Sequence, residues 1–425
     1  MSDGIRRDGS VLIAGASLAG LRAAQGLREG GFTGSVLMVG EELHYPYDRP
    51  PLSKQVLAGE WPPERTALTD RARLDALGVD LRLGRRAEAL DAEARRVTLD
   101  DGTVLEVDGV VVATGARPRR LPGSDGAARA AVVRTLDDAE RLRAAIVAAG
   151  PGCRVVVVGA GFIGSEVAAT CAGLGCAVSV VESMATPLAP AVGELVGAAC
   201  GALHARHGVE LRTGVTVADV RPQSADARTG AGTGGAPLEV VLGDGTSLVA
   251  DVVVVGIGVV ANVEWLEGSG LEIGDGVVCD HALFAADGVV AAGDVCRWTW
   301  RHHGEEESVR IEHWEIAAQM GTAAARSLLA GRRLAEPFDP VPYFWSDQYG
   351  LRVQMLGRPA PTDEVAVVDG ALDAEDASFV VIYGRSGRLS AALAVSRPRQ
   401  LMAFRPLLVA GASWEEALGL LAGRA

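Results

Sequence analysis

Two short stretches of this sequence have the residue types and spacing that grip a dinucleotide. Gly15-Ala16-Ser17-Leu18-Ala19-Gly20 follows Val11-Leu12-Ile13-Ala14, and Gly159-Ala160-Gly161-Phe162-Ile163-Gly164 follows Val155-Val156-Val157-Val158. Each apolar, β-branched run passes through a glycine-punctuated turn into a helical stretch, Leu21-Arg22-Ala23-Ala24 and Ser165-Glu166-Val167-Ala168-Ala169. In that context the first glycine (Gly15, Gly159) makes a tight turn. The middle position (Ser17, Gly161) lets backbone approach a pyrophosphate, and the last (Gly20, Gly164) lets the helix pack closely on the strand. Ala19 in the first turn, and Phe162 and Ile163 in the second, belong to the same nucleotide-binding loops. The phosphates then rest on the positive end of the helix. Glu41 and Glu182 each follow a second apolar strand, close to the ~20-residue offset at which a carboxylate bonds a ribose hydroxyl. Two such units imply two dinucleotides, with electrons passing between them.

The elements that must position these residues are repeated as well. The first helix runs to Arg28 before Gly30-Gly31, and strand Val36–Val39 leads to Glu41. The second runs to Leu174 before Gly175, and strand Ala177–Val181 leads to Glu182. An Asp-Gly hairpin turn, Asp101-Gly102, precedes strand Val110–Ala113 and Thr114-Gly115; another, Asp244-Gly245, precedes Val252–Val255 and Gly256-Ile257-Gly258. Gly258 is therefore also counted among the cofactor-binding positions. Residues 221–236 read as a low-complexity connector. From about residue 331 prolines lead into Tyr343-Phe344-Trp345, which suggests a separate C-terminal module of strands and a final helix.

Composition bounds the reading. The 425 residues suffice for two or three domains, and 48% hydrophobic with 22% charged residues suits a glycine-rich α/β protein. A formal charge of −14 argues against nucleic acid as a partner. The apolar runs are too short to cross a bilayer, and the polar Met1–Ser10 lacks a signal-peptide core, so a cytoplasmic protein is expected. Six cysteines form no Cys-x-x-Cys pair and read as reduced, buried small hydrophobes. His302-His303 with Glu305-Glu306-Glu307 reads as a charged solvent loop, so no metal is expected.

Further segments, in order, are Tyr45-Pro46-Tyr47-Asp48-Arg49-Pro50-Pro51-Leu52-Ser53-Lys54, Arg134-Thr135-Leu136-Asp137-Asp138-Ala139, Ala291-Ala292-Gly293-Asp294-Val295, Arg310-Ile311-Glu312-His313-Trp314 and Tyr343-Phe344-Trp345-Ser346-Asp347-Gln348-Tyr349-Gly350. With this ordered set the chain resembles the FAD-dependent NAD(P)H:ferredoxin reductases of the putidaredoxin-reductase, rhodocoxin-reductase and dioxygenase-reductase type, in the two-dinucleotide flavoprotein fold shared with glutathione reductase. The resemblance covers nearly the whole chain. It implies that Gly15, Ala19 and Gly20 line the FAD pyrophosphate turn and that Glu41 holds the adenosine ribose. Arg49 and Lys54 reach the pyrophosphate and the flavin, the backbone at Ala87 touches the adenine end, and Arg134 contacts the FAD. Asp294 bonds the ribitol, Trp314 stands near the isoalloxazine, and Glu166 pairs with Lys54 beside the flavin as the catalytic pair.

This chain departs from the family in two places. Ser17 replaces a third closely spaced glycine, and the stretch Ser183–Pro190 after Glu182 lacks the arginine that many relatives carry there. Glu182 repels a 2′-phosphate, so NADH is expected in preference to NADPH. Glutathione-reductase-like relatives place a redox Cys-x4-Cys where this chain has Pro50-Pro51-Leu52-Ser53-Lys54. Without it, thiol–disulfide turnover is not expected, and electrons pass singly to an external acceptor.

The resulting expectation is an α/β fold of two Rossmann-like dinucleotide-binding domains plus an α+β C-terminal interface domain. The FAD-binding part would be 1–115 with 247–330, the NAD(P)H-binding part 116–246, and the C-terminal part 331–425. Electrons would run from NADH through FAD to an iron–sulfur ferredoxin of the 2Fe-2S type serving a haem-thiolate monooxygenase, from a monomer or weak dimer. The alternatives are the reductase component of a ring-hydroxylating dioxygenase and an NADH flavoprotein of the apoptosis-inducing-factor type. Because ferredoxins are acidic, Arg297, Arg301 and Arg310 are expected to supply a basic docking face.

Overall fold

The valine-rich runs are strands buried on both faces, as parallel strands covered by helices must be. The computed structural model describes residues 4–121, 130–223, 237–302, 305–373 and 377–421. Most of the low-complexity connector (224–236) and His303 lie outside the described residues. The chain divides into two compact units. One comprises Met1–Asp48, Thr66–Arg117 and Val259–Pro340; the other comprises Arg49–Arg65, Pro118–Gly258 and Val341–Ala425.

In the first unit, strand Ser10–Ala14 lies between Ser35–Gly40 and Gly109–Val112, parallel to both. The strand order therefore reverses at the strand that ends at Gly15, and such a switch point is where open α/β sheets bind ligands. Val79–Leu83, Val289–Ala291 and Phe284–Ala286 complete the six-stranded sheet. Helix Leu18–Glu29 buries Leu18, Leu21, Ala24 and Leu27 and packs against helix Trp314–Ala330. The expected Asp-Gly hairpin joins Arg96–Leu99 to Val104–Glu106.

The second unit repeats the plan. Strand Arg154–Val158 lies between Ala177–Val181 and Val252–Val255, again parallel to both, and ends at Gly159. A three-stranded antiparallel sheet, Val217–Pro222, Leu238–Leu242 and Ser247–Ala250, holds the second Asp-Gly hairpin. The pairing of Val252–Val255 with Arg154–Val158 puts residues 247–258 with the second nucleotide-binding sheet. The sequence-based division at 246/247 had assigned them to the first.

The C-terminal strands form a five-stranded antiparallel sheet in the order Tyr343–Gln348, Leu351–Gly357, Arg388–Val395, Phe379–Arg385, Glu364–Gly370. Three short helices follow rather than one: Pro398–Met402, Arg405–Ala410 and Trp414–Gly419. One face of the sheet buries Phe344, Met355 and Tyr383 against Val192, Val196 and Cys200 of helix Ala189–Arg206. The other face is covered by Leu401, Phe404, Leu408 and Ala417. This shared core explains why the C-terminal strands fall into one compact unit with the second nucleotide-binding sheet instead of standing apart.

A polar bridge crosses the same junction. His204 is buried, with Nδ1 2.6 Å from the Tyr349 hydroxyl and Nε2 3.4 Å from Ser165 Oγ. His207 stacks on Tyr349 at 4.3 Å between ring centroids. Burial, with the His207 charge beside it, pushes His204 down to about 4. In the unfolded chain a histidine titrates near ~6.5. Between these values the unfolded state binds a proton that the native state refuses, so stability falls as pH drops from ~6.5 to 4, by about 3 kcal/mol at most. Denaturant unfolding at pH 7 and pH 4.5 should show this loss in the natural chain and a smaller one in His204→Gln. Equal pH dependence would remove His204 as the acid-sensitive group.

Candidate functional site

The first fingerprint turn is set by backbone sterics. Gly15 has φ +123°, and a Cβ on it would fall 2.0 Å from the Ala113 carbonyl oxygen; a Cβ on Gly20 would fall 2.0 Å from the Gly15 oxygen. Helix Leu18–Glu29 begins at Ser17, whose hydroxyl does not cap it, and there is no acid in its first turn. Neither a capping side chain nor an acid of its own first turn therefore occupies its first N–H groups, which fits a pyrophosphate. The Gly293-Asp294 turn abuts this helix, since a Cβ on Gly293 would fall 3.0 Å from the Ala19 Cβ. Asp294 is fixed there through its carbonyl, which accepts from Arg310 Nη1 at 3.1 Å. Glu41 stands exposed just past strand Ser35–Gly40, with Arg86 Nη1 at 3.5 Å. Ala87 opens strand Ala87–Asp91 and is buried. Trp314 donates from Nε1 to Asp48 Oδ1 at 2.6 Å, and burial pushes its neighbour His313 down to about 4 against the pull of the Asp294 carboxylate. The first unit thus gathers Gly15, Ser17, Ala19, Gly20 and Asp294 at one end of its sheet, a donor set and cradle that fit FAD.

The second turn obeys the same constraints. A Cβ on Gly159 (φ +97°) would fall 2.4 Å from the Gly256 oxygen, and one on Gly164 would fall 2.0 Å from the Gly159 oxygen. Around Gly161 no described atom lies within 4 Å of such a Cβ, so space is left open at the middle glycine. Glu182 accepts from the Ala160 N–H at 2.7 Å and from the Met184 N–H at 2.8 Å, so its carboxylate is held against the turn. The guanidinium of Arg212, on the neighbouring strand, is paired with Glu210 at 2.8 Å, so its charge is already committed. Gly258 has φ +93° and its carbonyl accepts from the Arg119 N–H at 2.9 Å. Ile163 is 43% exposed, whereas Phe162 packs its ring on Phe344 at 4.5 Å and contributes to the C-terminal core.

The second unit also holds a buried charged knot. Lys54 lies on a helical turn, Leu52–Val56, and its Nζ is 2.9 Å from Glu166 Oε2 in helix Phe162–Gly173. The two side chains are 11% and 7% exposed. Ser53 Oγ donates to Oε2 at 2.5 Å; Ser346 Oγ and the Asp347 N–H donate to Oε1 at 2.8 and 3.3 Å. Thr170 Oγ1 donates to the Ser53 carbonyl at 2.8 Å, tying the same turn down a second time. These contacts explain why Arg49–Arg65 lies in the second compact unit although its sequence position suggested the first. Ser53 and Ser346 were missed as site residues; both stand in motifs that had been singled out, but no local pattern points them at Glu166. Arg49 Nη1 donates to the Arg134 carbonyl at 2.5 Å, so these two arginines are brought together, while Asp138 at the helix start pairs with Arg141 at 2.6 Å.

The three arginines expected to form a basic docking face are engaged by neighbouring groups. Arg310 is 9% exposed and sits between Asp275 at 3.1 Å and Glu312 at 2.6 Å; Arg301 is paired with Glu306 at 2.7 Å, and Arg297 donates to Ser308. Two of the three are neutralised by carboxylates. Among the described residues no group of three or more His, Cys, Asp or Glu side chains could hold a metal, and no helix is long and apolar enough to cross a membrane.

Residues 343–419 match a reductase C-terminal family. The chain is 40% identical to the ferredoxin–NAD(+) reductase component of the anthranilate 1,2-dioxygenase system of Burkholderia cepacia, over 94% of each chain. It is 35% identical to rhodocoxin reductase of Rhodococcus erythropolis, over 94% of this chain and 89% of that one. The reductase in the crystal structure of the covalent putidaredoxin reductase–putidaredoxin complex superposes with a TM-score of 0.87 at 32% identity, covering 97% of this chain and 96% of the other. With residues 9–321 matching it, the chain belongs to the pyridine nucleotide-disulphide oxidoreductase family.

Proposed function

We propose that this chain is an FAD-containing, NADH-dependent ferredoxin reductase that supplies electrons singly to an iron–sulfur ferredoxin of the 2Fe-2S type. The observation that carries this reading is the doubled switch-point topology together with a Lys54–Glu166 pair where thiol-reducing relatives carry cysteines. FAD, when bound, supplies the exchange between a two-electron donor and a one-electron acceptor. Gly15, Gly20 and the N–H groups of helix Leu18–Glu29 bind its pyrophosphate, Glu41 its ribose and Asp294 its ribitol, with Arg49, Ala87, Arg134 and Trp314 completing the FAD site. Gly159, Gly161 and Gly164 receive the NADH pyrophosphate, with Ile163 and Gly258 at the rim. Glu182 bonds the ribose hydroxyls and disfavours a 2′-phosphate. Glu166 holds the Lys54 ammonium in one position, and a cation so fixed would favour the reduced form of a flavin bound beside it.

The ferredoxin is proposed to serve a haem-thiolate monooxygenase, in the cytoplasm, from a monomeric or weakly dimeric reductase. The 40% identity to an anthranilate dioxygenase component favours a ring-hydroxylating dioxygenase as the second reading. The test is steady-state oxidation of NADH by the purified flavoprotein, with a 2Fe-2S ferredoxin and cytochrome c as terminal acceptor. Cytochrome c reduction should require the ferredoxin, and NADPH should be the poorer donor. Turnover indifferent to ferredoxin would overturn the reading, and an NADPH/NADH efficiency ratio above one would overturn the donor preference.

A further inference from the structure

Cys153 and the closely spaced Cys171 and Cys176 meet at one corner of the second nucleotide-binding sheet. Arg154 and Ala177 are partners in the parallel ladder, so Cys153 and Cys176 stand side by side just before it, with the Ala177 N–H bonded to the Cys153 carbonyl at 2.9 Å. The Cys176 N–H bonds to the Cys171 carbonyl at 3.0 Å, which brings in the last turn of helix Phe162–Gly173. The neighbouring Cys153 and Cys171 thiols pull the ionisation of Cys176 down, while their own is pushed up by Cys176 and by burial. Cys153 and Cys171 are buried, at 2% and 0% exposure, whereas Cys176 is half-buried on a rim beside the exposed Leu174 and Gly175. Sequence reading had taken all six cysteines as buried. Neighbouring strands lie about 4.8 Å apart, within the ~4.4–6.8 Å span of Cα atoms that a disulfide bridges.

We propose that Cys176, Cys153 and Cys171 form a hydroperoxide-reactive thiol site in which Cys176 is oxidised first and a buried neighbour closes a disulfide on it. The two neighbouring thiols favour the Cys176 thiolate and are themselves held protonated, so Cys176 ionises first. The Cys176 thiolate attacks the peroxide: an S–O bond forms, the O–O bond breaks, and the departing oxygen takes a proton to leave as water or an alcohol. The thiol of Cys153 or Cys171 then attacks the sulfenic sulfur; an S–S bond forms, the S–O bond breaks, and water leaves with that thiol's proton. Two thiols are oxidised by two electrons and one peroxide is reduced. The site lies at the opposite end of strand Arg154–Val158 from Gly159, away from the nucleotide turn.

The test treats the purified flavoprotein with a few equivalents of hydrogen peroxide, blocks remaining thiols and maps peptides after cleavage at glutamate. Glu166 and Glu182 bracket Cys171 and Cys176, so that peptide reports an internal bridge as a loss of two hydrogen atoms and a Cys153 bridge as a linked pair. Two thiols should be lost per chain, always including Cys176, and none in Cys176→Ser over the same time. In Cys153→Ser the bridge should shift to Cys171. Six thiols surviving peroxide that oxidises free cysteine, or equal thiol loss in Cys176→Ser, would overturn the proposal.

Discussion

Glu166→Ala is expected to lower the stability of the second unit by about 3–5 kcal/mol, the usual cost of removing one partner from a buried ion pair. The loss is large because both carboxylate oxygens are in use. Lys54, 11% exposed, loses its carboxylate partner, and the Ser53 hydroxyl, the Ser346 hydroxyl and the Asp347 N–H lose an acceptor together. Lys54→Met removes the opposite charge yet leaves Glu166 with three donors, so its cost should be smaller, about 1–3 kcal/mol. Denaturant unfolding of both single variants and the double variant yields the coupling directly. A loss below ~1 kcal/mol for Glu166→Ala would mean that the carboxylate is not what ties segment 49–65 and the C-terminal strands to helix Phe162–Gly173. Catalysis separates the two residues differently: Lys54→Met should impair NADH oxidation while keeping the unit folded, as its unfolding midpoint will report.

The parts of this molecule that were legible in the sequence are those whose geometry is enforced locally. Gly15 and Gly159 are glycines because their φ angles and the neighbouring carbonyls admit nothing else, so a strand ending in such a turn announces itself. The Asp-Gly hairpins are likewise local. What escaped the sequence is contact at long range. Val252–Val255 pairs with Arg154–Val158 across a separation that no local pattern encodes, although the side-chain link between Arg154 and Asp251, 97 residues apart, stands beside it. Ser346 reaches Glu166 over 180 residues of chain. Of the three clustered thiols, Cys171 and Cys176 lie five residues apart in sequence, but Cys153 joins them only through the ladder register that pairs Arg154 with Ala177. Charge failed for a related reason. Arg297, Arg301 and Arg310 are cations by composition, but Arg301 and Arg310 have carboxylate partners contributed by adjacent strands and turns.

The glycines of the second turn give a sharper test of that local geometry, because two that look equivalent in the motif are not equivalent in space. Gly164→Ala would place a methyl carbon 2.0 Å from the Gly159 carbonyl oxygen, a backbone atom that cannot rotate away. Helix Phe162–Gly173 must then lift from strand Arg154–Val158, and a loss of about 3 kcal/mol or more is expected, together with loss of NADH binding. The displacement should also disturb Glu166, which rides on the same helix two residues on. Gly161→Ala meets no described atom within 4 Å and has φ −73°, which any residue adopts. Its stability should be unchanged within ~0.5 kcal/mol, and its effect should appear as a several-fold rise in KM for NADH, because the methyl occupies the space left for the pyrophosphate. The first unit already carries a side chain at the corresponding position, Ser17, so the loss at Gly161 should be partial rather than complete. Thermal unfolding and NADH titration of the two variants decide the matter: equal destabilisation would mean that close helix–strand packing is not what the last glycine provides.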